Sequence, residues 1–295
     1  MKGTAAGKNL TSRQAARLLG VSEASVKRWA DGGLLPALKT AGGHRRFRPE
    51  DLAAFRHGGR TKDAAERARP EAPSAQLDER LSEELFELIA GGHEEEAASA
   101  LVGLHLQGHT VARLADSLLC PALRRVGDLW HAGRMSVAQE HLATRTTNTA
   151  LGALRAAARV RTESAERVAV CCAVEEDYHE LPVHLAALTL EARGWEVVNL
   201  GMSTPFYALA EAVTRFVPRL VCVASTVFRQ ADRAAREYGE FCAASRRAGA
   251  SVVLGGAGFY GEDMRRRFPA DLYAATFSEL EEHAAALAVE AGAGR

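Results

Sequence analysis

The chain has 295 residues and balances 37 Lys and Arg against 37 Asp and Glu, which is length enough for two or three domains that each bury a core. No run approaches the roughly 18 apolar residues of a membrane span, and Met1-Lys2-Gly3-Thr4 begins no signal-peptide apolar region, so a cytoplasmic protein is expected. The five cysteines (Cys120, Cys171, Cys172, Cys222 and Cys242) lack Cys-x-x-Cys spacing, which argues against a disulfide framework or a zinc site.

Residues 1–58 read as a winged helix-turn-helix. Thr11-x-x-Gln14 is a capping box that opens a short helix with Ala15, Ala16, Leu18 and Leu19 on its inner side. Gly20-Val21-Ser22 makes the turn, and Ser22 caps a second helix. That helix is expected to bury Val26 and Trp29 and to leave Ser25, Lys27 and Arg28 outward, free to enter a major groove. Thr40 to Phe47 predicts a hairpin whose glycines permit a tight turn and whose tip, His44-Arg45-Arg46, can meet phosphate. Pro49 then restarts a helix at the position where proline is tolerated best. The first 60 residues carry 12 Lys and Arg against four acids, so a basic first fifth sits on an acidic body, the footprint of one nucleic-acid-binding end.

Residues 59–76 are polar, rich in Arg, Ala, Glu and Pro, and without apolar periodicity. They read as a linker spanning about 25 Å if flexible. Residues 77–163 carry helical stripes: Leu77, Leu81, Leu85, Leu88 and Ile89, then a stretch opened by Glu94–Glu96, then Val111 to Trp130, then a long helix capped by Ser136-x-x-Gln139. Four amphipathic helices with short joints predict a four-helix bundle.

Residues 164–295 alternate strand and helix, with strands expected at Val168–Val174, Glu196–Leu200, Leu220–Ser225, Ser251–Leu254 and Leu272–Ala275. Five such units predict a flavodoxin-like doubly wound parallel sheet. The loops after the strands, among them Glu176–Pro182, Ser225–Gln230 and Gly255–Gly261, should then converge on one edge, where open α/β sheets bind ligands. Asp177-x-His179 lies there, a carboxylate two residues from an imidazole and able to orient it.

These motifs carry a resemblance. The run Gly42-Gly43-His44-Arg45-Arg46-Phe47, followed by Pro49-Glu50-Asp51-Leu52, resembles the winged helix-turn-helix of the MerR family, which implies double-stranded promoter DNA as partner. Asp177-x-His179-x-x-Pro182, Ser225-x-Val227 and Gly255-Gly256 resemble a cobalamin-binding signature, in which glycine rather than proline closes the first element. The resemblance implies that His179 is the lower axial cobalt ligand, that Asp177 holds its tautomer, and that Ser225, Val227, Gly255 and Gly256 line the nucleotide tail. Trp130-x9-Glu140-His141 resembles the signature of helical domains that cap the upper face of cobalamin, implying roles there for Trp130, Glu140 and His141. His131, next to Trp130, is a candidate for the cobalt position vacated when an upper carbon ligand leaves.

Together the three modules resemble the CarH-like group of MerR-type, cobalamin-dependent photoreceptor repressors. That implies a non-enzymatic regulator binding adenosylcobalamin, a homo-oligomer (dimer or tetramer) on promoter DNA, and release after light breaks the cobalt–carbon bond. Two rivals remain. One is a cobalamin-carrying subunit of a methyltransferase or mutase. The other is a ligand-free or other-tetrapyrrole regulator acting through protein contacts, an antirepressor among them, which Pro182 favours.

Overall fold

The computed structural model describes residues 9–19, 21–40, 42–48, 51–52, 55, 75–160 and 167–293. Gly20, Pro49, Glu50, linker residues 59–74 and residues 161–166 lie outside them. The chain divides into two compact units, Met1–Ala158 and Arg159–Arg295.

The first unit opens with β1 (Leu10–Thr11), α1 (Ser12–Leu19), α2 (Glu23–Asp31), β2 (Leu38–Lys39) and β3 (Arg45–Phe47). The strands form an antiparallel sheet in the order β1-β3-β2, so the expected hairpin gains a third strand that the sequence did not announce. The capping box forms in full: Gln14 N–H donates to Thr11 Oγ1 at 3.2 Å, and Thr11 N–H donates to Gln14 Oε1 at 2.9 Å. Gly43, at φ 78°, makes the hairpin turn in a conformation that a side chain would strain. Val26 and Trp29 are buried, and the Trp29 ring packs on Phe55 with centroids 5.2 Å apart.

The bundle comprises α3 (Ala75–Ala90), α4 (Glu94–Leu106), a third helix in three pieces, and α7 (Val137–Ala158). The third helix runs as α5 (Val111–Leu114), a π-helical turn (Ala115–Leu119) and α6 (Cys120–His131). Leu114, Ala115, Leu118 and Leu119 all lie buried, a spacing that puts them on one face of the helix. Ser136 and Gln139 cap α7 reciprocally, with Gln139 N–H donating at 3.2 Å and Ser136 N–H at 2.9 Å.

The second unit is a five-stranded parallel sheet: β4 (Val168–Val174), β5 (Glu196–Thr204), β6 (Leu220–Ala224), β7 (Ser251–Gly255) and β8 (Leu272–Ala274). Its order, β5-β4-β6-β7-β8, is the doubly wound flavodoxin-like order expected. The connecting helices are α8 (Leu181–Glu191), α9 (Phe206–Phe216), α10 (Ala231–Ala248), α11 (Glu262–Arg267) and α12 (Phe277–Ala293). Strand β4 is apolar throughout because both its faces are covered. Val170, Cys172 and Val174 meet Phe206, Leu209 and Phe241 on one side, while Ala169, Cys171 and Ala173 meet Val183, Leu190 and Trp195 on the other. The two adjacent cysteines are thus core residues, and burial pushes the Cys172 thiol up. β5 outruns its expected end at Leu200, because as the edge strand it absorbs two register shifts against β4 and continues past Gly201.

Phe241 sits at the centre of the larger core, its ring 5.5 Å from Phe206 and 5.4 Å from Tyr238. Phe241→Ala should lower the stability of the second unit by about 3–5 kcal/mol, read as a shift of its urea unfolding midpoint. Val289→Ala, at an exposed position, should leave that midpoint within error.

Candidate functional site

In the order β5-β4-β6, β4 is where the sheet changes winding direction, and the loops after β4 and β6 part there to leave a crevice. Asp177 and His179 lie on the first of these loops, Ser225 to Val227 on the second. The Asp177 side chain is 1% exposed and the His179 side chain 55%, so a buried carboxylate holds a half-exposed ring. Asp177 Oδ1 takes the ring Nδ1 at 2.6 Å and accepts the His179 backbone N–H at 3.0 Å. Asp177 Oδ2 accepts Thr226 N–H at 2.5 Å and Val227 N–H at 3.3 Å. Burial alone would lift this carboxyl, but the bonds from His179, Thr226 and Val227 outweigh it and hold the group below the ordinary carboxylate range. An ionised Asp177 requires the proton on Nδ1, which places the imidazole lone pair on Nε2, the arrangement of a metal-binding histidine with an outer carboxylate.

Ser225 is fully buried, and its Oγ has no hydrogen-bond partner among the described residues. A buried hydroxyl without a partner costs about 1–3 kcal/mol, and Thr146, Thr189 and Ser245 carry others among the described residues. The surrounding backbone leaves no room for side chains. A Cβ on Gly256, at φ 93°, would collide with the Ser225 carbonyl oxygen, and one on Gly258 would collide with Ser225 Oγ. Gly255 is looser, its would-be Cβ 3.4 Å from the Ala274 oxygen. Gly258 escaped the sequence reading, although the spacing Gly-Gly-x-Gly after a strand was there to be weighed. Pro182 stands in the first turn of α8, where its missing N–H leaves no helical bond unmade. Around this edge Tyr178, Met202, Val227 and Tyr260 are exposed apolar side chains from four different strand ends, a platform for a flat apolar ligand.

Two neighbouring non-glycine residues adopt left-handed backbone, Glu176 at φ 62° on the loop after β4 and Ser203 at φ 50° at the end of β5. Such residues cost about 1–3 kcal/mol each and persist only when their surroundings hold them.

In the bundle, Trp130 is 42% exposed instead of joining the apolar stripe to which its helical spacing assigns it. Its ring packs on His131 with centroids 4.8 Å apart. Val137 and Leu142 are exposed nearby in sequence, at the start of α7. Glu140 accepts Thr144 Oγ1–H at 2.8 Å and lies 3.6 Å from Nε2 of an exposed His141. One end of the bundle thus offers aromatic, aliphatic and imidazole groups together.

In the winged module Lys27, Arg28 and His44 are exposed, with Lys27 paired to Glu23 at 2.9 Å. Arg45 and Arg46 are half-buried, and the Arg45 guanidinium pairs with Asp31 at the end of α2, tying the hairpin to the second helix. Ser25 corrects the expectation that it faces outward. It is 2% exposed, because it shares the inner face of α2 with Trp29 four residues on. Its N–H donates to Ser22 Oγ at 3.1 Å, and its hydroxyl is bonded to Ser22 and, across to the bundle, to Ser99 on α4.

Residues 10–60 match a helix-turn-helix domain family, residues 81–155 a B12 binding domain family, and residues 167–288 a second B12 binding domain family. Over 74% of the chain it is 27% identical to the HTH-type transcriptional repressor CarH of Myxococcus xanthus, covering 79% of that protein. Over 84% of the chain it is 26% identical to the repressor CarA of the same organism, covering 87% of that protein. Among solved structures, the Methanosarcina barkeri monomethylamine corrinoid protein superposes with a TM-score of 0.58 at 17% identity, over 72% of this chain and 99% of that one, a likeness of fold alone. The chain is therefore a homologue of the CarH and CarA proteins, a helix-turn-helix domain joined to two B12-binding domains.

Proposed function

We propose that the chain is a light-responsive transcriptional repressor that binds promoter DNA as an adenosylcobalamin-loaded oligomer and lets go on illumination. The observation that carries this reading is the buried, multiply bonded Asp177 that fixes His179 at the sheet's switch point. His179 would bind the cobalt through Nε2, and Asp177 would keep it in the required tautomer. The orphaned Ser225 Oγ is assigned to the polar base of a nucleotide tail, with Gly255 and Gly256 beside it, where the β7 loop packs close on Ser225. The Val227 side chain belongs to the exposed apolar platform that would meet the corrin ring. On the bundle, Trp130, Glu140 and His141 would hold the adenosyl group.

When bound, adenosylcobalamin supplies a cobalt–carbon bond that light breaks, opening one coordination position. His131, its ring tilted against Trp130, is the imidazole that would then take up the cobalt. Lys27, Arg28 and the hairpin residues His44, Arg45 and Arg46 supply the DNA grip, which an oligomer multiplies by raising effective concentration. Light then acts only to the extent that the lit and dark states differ in affinity for the assembly. The CarH and CarA names, both of repressors, support repression over enzymatic carriage of a corrinoid.

Pro182 favours a second reading. Where the signature has glycine, a proline adds a ring and removes an N–H. A body that takes another tetrapyrrole, or none, and answers to an antirepressor would tolerate that change.

The purified chain, mixed with adenosylcobalamin in darkness and desalted, should keep a visible spectrum that illumination alters, with loss of promoter affinity in gel shift. His179→Ala should release the pigment on desalting, and Asp177→Asn should weaken its binding by about 10–100-fold. A wild-type chain that stays colourless overturns the cobalamin reading and leaves the second one. His131→Ala should change the spectrum of the illuminated form and leave the dark one alone.

On operators selected by the chain from random duplexes, Lys27→Ala and Arg28→Ala should each weaken binding. A substitution that removes a phosphate contact lowers the salt slope by about one, whereas one that removes a base contact relaxes sequence preference. Unchanged affinity in both variants would take α2 out of the groove.

A further inference from the structure

We propose that Ser203, at the carboxyl end of β5, is a positioning residue for His179, acting through the Glu176–Asp177 segment; this rests on the cobalt-ligand reading of His179. The sequence gives no hint of it, since Ser203 lies outside every signature. The bonds that reach it are specific. Ser203 Oγ accepts the Glu176 N–H at 3.1 Å, and the Ser203 N–H donates to the Asp177 carbonyl at 3.1 Å. One residue thus grips both sides of the peptide that leads into Asp177.

Both partners in this clamp have left-handed backbone, Glu176 at φ 62° and Ser203 at φ 50°, although neither is glycine. A residue of this kind stays in that region because other contacts over-determine it. For Glu176 those contacts are Ser203 on one side and Gln230 on the other, whose Nε2–H donates to Glu176 Oε1 at 2.8 Å. The preceding Glu175 lies 3.4 Å from Arg233 on α10. The loop after β4 is therefore tied to the end of β5 and to the loop after β6 at once. Asp177 sits between the ties, with its backbone N–H on the Val174 oxygen at 3.1 Å and its carboxylate on Thr226, Val227 and the His179 ring.

The consequence is directional. The Asp177 carboxylate selects the Nδ1-protonated ring only while it stays beneath that ring, and the clamp is what turns the Asp177 peptide so that it does. Loosening the clamp leaves the carboxylate buried but frees its direction. The ring then samples its other tautomer, in which Nε2 carries the proton and cannot ligate a metal. Ser203 sets the fraction of molecules whose imidazole is ready to ligate.

The test uses the full chain with 15N-labelled histidine. In the wild type without cobalamin, at fixed pH, the His179 ring shifts should report the Nδ1-protonated tautomer. Ser203→Ala, which keeps the N–H and loses the hydroxyl, should raise the other tautomer by about three- to tenfold. Ser203→Gly separates conformation from bonding, because it relieves the left-handed backbone while also deleting the hydroxyl. If bonding is the cause, Ser203→Gly behaves as Ser203→Ala; if both retain the wild-type tautomer, the proposal is overturned. Should Ser203→Ala fail to fold, Ser203→Gly and Glu176→Gln decide the matter alone, Glu176→Gln keeping the backbone bond and hence the wild-type shifts. In the loaded protein, reduced to paramagnetic cobalt, the nitrogen splitting of the electron-spin signal should be full in the wild type and reduced in Ser203→Ala. A wild type that binds no cobalamin sinks the cobalt-ligand reading, while the ring shifts still decide whether Ser203 positions the imidazole.

Discussion

The structure around the crevice depends on burying one carboxylate without neutralising it. Asp177 is 1% exposed, and an ionised carboxylate that deep costs several kcal/mol unless donors surround it. The chain provides them from two directions: the ring and backbone of His179 on the same loop, and the backbone N–H groups of Thr226 and Val227 on the loop after β6. The result is a negative charge with a fixed direction, which selects one tautomer of the neighbouring ring. The two loops can do this because β4 and β6 are adjacent in the sheet while their helices diverge, so the ends of both strands open onto one gap. Remove the switch in winding and the donors for Asp177 would have to come from elsewhere.

The same edge shows why glycine occupies the positions it does. The β7 loop passes so close to the β6 loop that Ser225 N–H bonds to the Gly255 oxygen at 2.9 Å and Gly258 N–H to the Ser225 oxygen at 2.8 Å. Backbone at that separation excludes a Cβ at Gly256 and Gly258. It also encloses the Ser225 hydroxyl without giving it a partner.

Much of the fold was legible because its signals are local. Capping boxes at Thr11 and Ser136 fixed two helix starts, and the period of the apolar residues separated bundle from sheet. The apolar run at Val168–Val174 announced a strand buried on both faces. What escaped was whatever depended on contacts distant in sequence. The face of α2 that Ser25 occupies is set by packing on Ser99, 74 residues away, so a local reading of small polar residues as outward failed. β1 is two residues long and exists only because β3 pairs with it. Ser203 and Glu176 carry no motif, and their importance comes from left-handed backbone, which sequence announces for glycine and hides for serine and glutamate.

Pro182 shows how a fold and a ligand can place separate demands on one position. In the first turn of α8 the backbone N–H has no partner within the helix, and φ near −65° is what a helix requires, so proline satisfies the fold as well as glycine and restricts the unfolded chain more. Nothing in the architecture of the second unit therefore resists the substitution. Its whole cost or benefit falls on what lies against the loop between His179 and α8, where a ring replaces a hydrogen and a donor is lost. The Asp177 carboxylate does not depend on it, since it bonds to His179 and to the β6 loop. On the proposed reading, the grip on a metal and the fit of the ligand's tail would thus be governed by different residues, and a chain of this build could change the second while keeping the first.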